Sequence, residues 1–161
     1  MQPYFFPYIG YFQLIRAVDA FVIYDDVNYI TGGWINRNYI LASGGKQRIT
    51  LPVEGASQNK LINEIAVGHK RKKIIETIRQ RYSKAPFFAM AFPLIEYILN
   101  QKERNLARFL EFQLLQLCSY LDLNRQWVVS SNLKKNNDLR GQEKILAICK
   151  ELGADHYINP Y

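Results

Sequence analysis

The residues best suited to chemistry stand in short clusters. Asp25 and Asp26 follow one another where an apolar run ends, and paired carboxylates can bind a divalent metal, take up a proton, or accept hydrogen bonds from hydroxyls and amines. The plainer reading is a polar pair that closes a strand. Trp34-Ile35-Asn36-Arg37-Asn38 brings together an indole, two amides and a guanidinium, a set able to grip a phosphate, carboxylate or sugar. Alone at the head of a strand, Arg37 would be only a solvated charge. Ahead of both lies Gln2-Pro3-Tyr4-Phe5-Phe6-Pro7-Tyr8-Ile9-Gly10-Tyr11-Phe12, where rings, two prolines and a glycine make a stiff loop. Flat faces with polar tips serve a stacking platform or a lid, and serve equally well as a plug at the end of a sheet. Gly10, where the loop turns into a helix, offers free N–H groups to an anion.

Other motifs carry less. His69 and His156 lie far apart with no evident carboxylate or thiol partner, so a nucleophilic triad has little support. No His and Cys cluster has metal-ligand spacing, so no metal is assigned and no cofactor is identified. Ser43-Gly44-Gly45-Lys46 reads as a hairpin turn rather than a phosphate loop. Tyr82-Ser83-Lys84-Ala85-Pro86 reads as a helix end with Lys84 near its C-terminal dipole.

The elements that position these clusters follow from periodicity. Tyr11, Phe12, Leu14 and Ile15 have helical spacing, and Asp19–Val27 reads as a strand around Phe21-Val22-Ile23-Tyr24. Arg37–Leu41 and Arg48–Val53 read as a hairpin, whose second strand Pro52 confines to an edge or ends early. A helix with Ile74, Ile75, Ile78 and Tyr82 on one face stops before Ala85-Pro86. Another lies around Pro93–Leu99, and a long one spans roughly 103–121. Trp127–Ser131 returns to strand, Gly141–Leu152 to helix with Gly153 as a left-handed cap, and His156-Tyr157-Ile158 forms a last short strand. The expected fold is α/β: a mainly parallel open sheet with helices on both faces, a β-hairpin and a helical insertion at about 69–122, in one domain over 1–161. Ligands of such sheets bind beyond the carboxyl ends of the strands, which nominates Asp25, Asp26, Ser130, Ser131 and Asn159 together.

Composition narrows the class. A chain of 161 residues with 48% hydrophobic residues can bury one sizeable core. Its apolar runs fall short of the roughly 20 residues of a membrane span, and the N-terminus lacks the order of an export signal. Cys118 and Cys149 sit on apolar helix faces as small buried thiols, which fits a reducing, cytoplasmic setting. The net charge of +7 is divided between a cluster at 69–73 and scattered residues such as Arg125, Lys134, Lys135 and Arg140. That pattern reads as a solvated basic face rather than a nucleic-acid groove, and attraction for anionic small molecules is an equally good use of such a field.

The opening segment to Phe12, the Asp19 to Val27 run and Trp34–Asn38 resemble the WbqC-like family of bacterial proteins. The likeness continues through Ile49–Val53, Ile62–Ile65, Tyr82–Phe88 and Ile148–Ala154 to Tyr157-Ile158-Asn159-Pro160. Family members usually carry residues before the equivalent of Gln2 and a glycine-containing segment after the Asn-Pro, so the chain is read as trimmed at both ends. The resemblance implies a setting of O-antigen or other surface-polysaccharide synthesis, with aminoacyl (glycyl) or acyl transfer to a nucleotide-linked amino sugar. Asp25 or Asp26 would serve as base, and Gly10 and Arg37 would hold phosphate. Trp34 and Tyr4 would stack on rings, with Gln2, Asn36, Asn38, Ser130 and Asn159 in the substrate site. The order of loop, glycine at a helix start and Asp-flanked strand is also similar to nucleotidyltransferase-like domains, but Tyr11 stands where their histidine would follow the glycine. The alternative from another class is a non-catalytic assembly module that docks a protein partner through the aromatic loop.

Overall fold

A computed structural model describes residues 1–159, and Pro160 and Tyr161 lie outside the described residues. The chain opens with a loop that enters α1 (Ile9–Ala17), whose Tyr11, Phe12, Leu14 and Ile15 are buried, as their helical spacing requires. It continues into β1 (Ala20–Ile23), the hairpin β2 (Arg37–Ala42) and β3 (Gly45–Thr50), and the two-residue β4 (Val53–Glu54) and β5 (Ala66–Val67). Three helices follow: α2 (Lys72–Tyr82), α3 (Phe88–Asn100) and α4 (Leu106–Tyr120). After them come β6 (Gln126–Val129) and α5 (Gly141–Glu151).

The architecture is mixed α/β, but the expected open parallel sheet is reduced among the described residues to one parallel pair. β1 lies against β6 with Ala20 opposite Gln126 and Ile23 opposite Val129. The hairpin is antiparallel, pairing Arg37 with Thr50 through Ala42 with Gly45, and β4 pairs antiparallel with β5. β1 stops four residues short of Val27 because Asp25 turns its N–H back to the Ile23 carbonyl at 3.2 Å. His156–Ile158 is exposed and forms no strand. α3 begins at Phe88, five residues before Pro93, so it extends well ahead of the expected Pro93–Leu99. Phe88 stacks on Phe92 at 4.6 Å and Arg79 of α2 lies 5.1 Å over Phe92, so packing carries the helix back through the proline.

Two cores share α4. Leu106, Phe109 and Leu110 join Phe5, Ile49, Ile62, Ile75 and Leu99 under the hairpin and α2–α3, whereas Leu114 and Cys118, further along the same stripe, join Tyr11, Ile15, Phe21 and Ile23 beside the parallel pair. Tyr4 packs against both, and its carbonyl accepts from Gln113 Nε2 at 3.0 Å.

Candidate functional site

The parallel register of β1 and β6 sets Asp25 and Asp26 beside the one-turn 3-10 helix Ser130–Asn132, so four of the five residues nominated at strand ends do converge. The two acids then take different work. Asp25 Oδ1 accepts the Ser131 N–H at 3.0 Å, and its Oδ2 accepts Ser131 Oγ at 2.7 Å and Asn63 Nδ2 at 3.1 Å. Its own carbonyl takes the Asn63 N–H at 3.2 Å. Buried and fully engaged, this carboxylate ties both strand ends to the turn at Ile62–Glu64. Its charge reaches Glu111 on α4, whose carboxyl is raised first by burial and then by Asp25, with Arg108 opposing.

Asp26 faces cations. Lys135 Nζ lies 2.8 Å and Lys144 Nζ 3.0 Å from Oδ2, with all three side chains buried. Both contacts lie off hydrogen-bond alignment, which makes them ion pairs first. The ammonium groups are also anchored to backbone: Lys144 donates to the Asp26 carbonyl at 2.6 Å and Lys135 to the Ser130 carbonyl. Burial pushes the Asp26 carboxyl up, but Lys135, the Ser130 hydroxyl and Lys144 favour the ionised form and hold it below its ordinary value. Lys144 also sits 5.6 Å over the Tyr24 ring, whose phenol is raised by burial, then by Asp26 and Tyr157.

These groups border a cavity of about 370 Å³ lined by Tyr24, Asp26, Asn63, Ser131, Arg140 and Lys144 among others. One carboxylate there stands against Lys144, Arg140 and, just behind it, Lys135, so the wall carries net positive charge. Arg140 forms no ion pair among the described residues, and the first turn of α5, which it precedes, has no side-chain cap. An anion with hydroxyl or amide groups fits such a wall. Among the described residues no group of three or more His, Cys, Asp or Glu could hold a metal ion.

The remaining nominated residues are not among those lining this cavity. Asn36 is a buried latch that accepts Tyr29 Oη at 2.8 Å and donates to the Leu51 carbonyl at 3.0 Å. Asn38 Nδ2 donates to the carbonyls of Phe5 and Phe6, and Phe6 holds φ 46°, a left-handed conformation unusual for a bulky residue. Trp34 is half exposed, edge-on to Tyr39, with its carbonyl accepting the Phe5 N–H at 3.3 Å. Arg37 buries an unpartnered Nε near Tyr29, and the Gln2 carbonyl accepts Tyr11 Oη at 2.9 Å. Gly10 lies in the first turn of α1, where a Cβ would meet the Tyr8 ring at 2.4 Å, so close approach explains it without an anion. Asn159 is exposed. The aromatic loop and the Trp34–Asn38 stretch clasp each other, and at the start of that segment the Met1 carbonyl accepts the Tyr24 N–H at 2.8 Å, next to Asp25.

Lys135, Lys144, Arg140 and Asn63 were not foreseen as site residues. Lys144 left a trace: it stands four positions before Ile148, and the two are the buried residues of α5. A lysine on the apolar stripe of a helix signals a buried partner. Lys135, in a polar loop, carries no such signal.

The fold and site define a mixed α/β protein with a cation-walled cavity at the carboxyl ends of a parallel strand pair. The chain matches the WbqC-like protein family over residues 2–161 and belongs to it. It is 31% identical over 163 aligned residues to the uncharacterized protein Rv1507c of Mycobacterium tuberculosis, with 99% of this chain and 70% of that protein covered. No solved structure matches it. Among the described residues no helix is long and apolar enough to cross a membrane.

Proposed function

We propose that the cavity beside Asp26 binds the phosphate-bearing end of a nucleotide-linked amino sugar, and that the protein transfers an aminoacyl or related acyl group to that sugar during surface-polysaccharide synthesis. The observation that carries the reading is the trio Lys135, Lys144 and Arg140 around one buried carboxylate in a cavity of ligand size. Family membership supports the polysaccharide setting.

The roles shift from the expected ones. A carboxylate held below its ordinary value between two ammonium groups is a weak base, so Asp26 positions Lys135 and Lys144 rather than deprotonating the acceptor amine. Lys144 and Arg140 meet the anion, and Asn63 and Ser131 border the space left for sugar hydroxyls. Asp25 holds the frame.

A ligand that binds only the folded state raises its melting temperature, so the test is a thermal-shift and calorimetric comparison of a UDP-linked amino sugar, UDP and the free amino sugar. The nucleotide-sugar should bind best, and Lys144→Met with Arg140→Ala should weaken it by about tenfold or more. Equal binding by that double variant would reject the site. Binding without acyl transfer from any activated amino acid would leave a sugar-nucleotide binding module in place of a transferase.

A further inference from the structure

The hairpin half carries an apolar groove of about 390 Å³ that shares no lining residue with the polar cavity. Ile40 and Ile49 on the inner hairpin face, Ile78 on α2, and Ala91, Phe92 and Ile95 on α3 form its walls. Asn38 and Tyr82, two of the polar residues among its lining, are already engaged. Asn38 Nδ2 holds the Phe5 and Phe6 carbonyls, Asn38 Oδ1 takes the Tyr39 N–H at 2.7 Å, and Tyr82 Oη accepts the Leu41 N–H at 3.0 Å. Water finds few partners against such walls, and an aliphatic chain suits them better.

The residues flanking its lining have the opposite character. Arg81, next to Tyr82, meets the neutral Gln47 amide at 2.9 Å, and neither it nor exposed Lys84, next to Ala85, forms an ion pair among the described residues. Arg79 on the same helix is neutralised by Glu76 and Glu96. On the outer hairpin face exposed Arg48 stands across from exposed Tyr39, and exposed Lys46 across from exposed Leu41. An apolar slot whose lining residues Tyr82 and Ala85 adjoin the unpaired cations Arg81 and Lys84, beside a face that mixes cations with apolar side chains, is complementary to a chain with an anionic head.

We propose that this groove binds the aliphatic tail of a single-chain anionic amphiphile, with its phosphate or carboxylate head over Arg81 and Lys84. The site stands apart from the cavity at Asp26, and the failure of either reading leaves the other intact.

The test is calorimetric titration of the intact chain with octyl, decyl and dodecyl phosphate below their micellar concentrations, with dodecyltrimethylammonium as the cationic control. Each added methylene should tighten binding about fourfold until the groove is filled. Ala91→Phe, which fills the slot, should weaken dodecyl phosphate by about tenfold or more. Arg81→Glu with Lys84→Glu should weaken it about tenfold and remove the preference over the cationic control. Ala85→Phe serves in place of Ala91→Phe if that variant fails to fold. Affinity independent of chain length, or unchanged in a folded groove-filling variant, would overturn the proposal. So would binding to anionic phospholipid vesicles with none to the monomeric amphiphiles, which would make the face a membrane contact instead.

Discussion

Two stretches of α4 join two different cores, and the surroundings of those cores differ in chemistry. Toward its N-terminus, Phe109 and Leu110 pack under a hairpin and two helices around an apolar groove. Toward its C-terminus, Leu114 and Cys118 back the parallel strand pair, beyond whose ends lie two buried acids and two buried lysines. Burial therefore has opposite consequences in the two halves. Around the groove it stabilises side chains that water rejects. Around Asp26 it places ionised groups where each depends on its partners, so the polar half is the more brittle and the more specific.

Removing one charge from that cluster should have the largest effect. Asp26→Ala leaves Lys135 and Lys144 buried without a counterion, and chemical denaturation should show a loss of ~3–5 kcal/mol. The triple change Asp26→Leu, Lys135→Met, Lys144→Met should recover most of that stability while abolishing nucleotide-sugar binding. A triple variant as unstable as Asp26→Ala would break the account of the cluster as a functional rather than structural device.

Phe109→Ala, at a fully buried position in the other half, should lose a comparable ~3–5 kcal/mol through the cavity it leaves. It should spare nucleotide-sugar affinity in the folded fraction, and a matching loss of affinity would show that the halves are coupled through α4.

Asn38→Ala, which releases the carbonyls of Phe5 and left-handed Phe6, should destabilise by about 1–3 kcal/mol and expose the aromatic loop to proteolysis. Acid should weaken the Asp26 cluster. Asp26 is held below its ordinary value of 3.8, so its contribution to stability is complete above that value and vanishes as pH falls through the lower folded value. The urea midpoint of the wild type should decline below about pH 4, and the triple variant should show a flatter acid limb. The smallest effect belongs to exposed Arg104–Glu54, where Arg104→Ala should change stability by less than ~1 kcal/mol.

Much of the molecule was legible one element at a time. The spacing of Tyr11, Leu14 and Ile15 gave α1, that of Ile74, Ile75 and Ile78 gave α2, and Ser43–Lys46 marked a hairpin turn between the strands that became β2 and β3. The strand-end rule also brought Asp25, Asp26, Ser130 and Ser131 together, because a parallel pair sets its carboxyl ends side by side whatever their separation along the chain. It failed for Asn159, since 156–158 forms no strand among the described residues, and periodicity could not find β4 and β5, which are too short to show it.

The sequence by itself determined which residues want water and which do not, and therefore which faces the helices and strands bury. Only the tertiary structure decided which polar residues would be buried together. Asn36 and Asn38 have the same residue types as a binding cluster, yet their hydrogen bonds go to backbone carbonyls that the fold happened to place within reach. Lys135 looks like a surface charge, and Lys144 on its apolar stripe does not say which partner it will meet, until α5 closes onto the strand ends and leaves Asp26 as their counterion. Hydropathy is a property of a residue and is carried along the chain; an ion pair is a property of two residues in space, and no spacing rule encodes the distance between them.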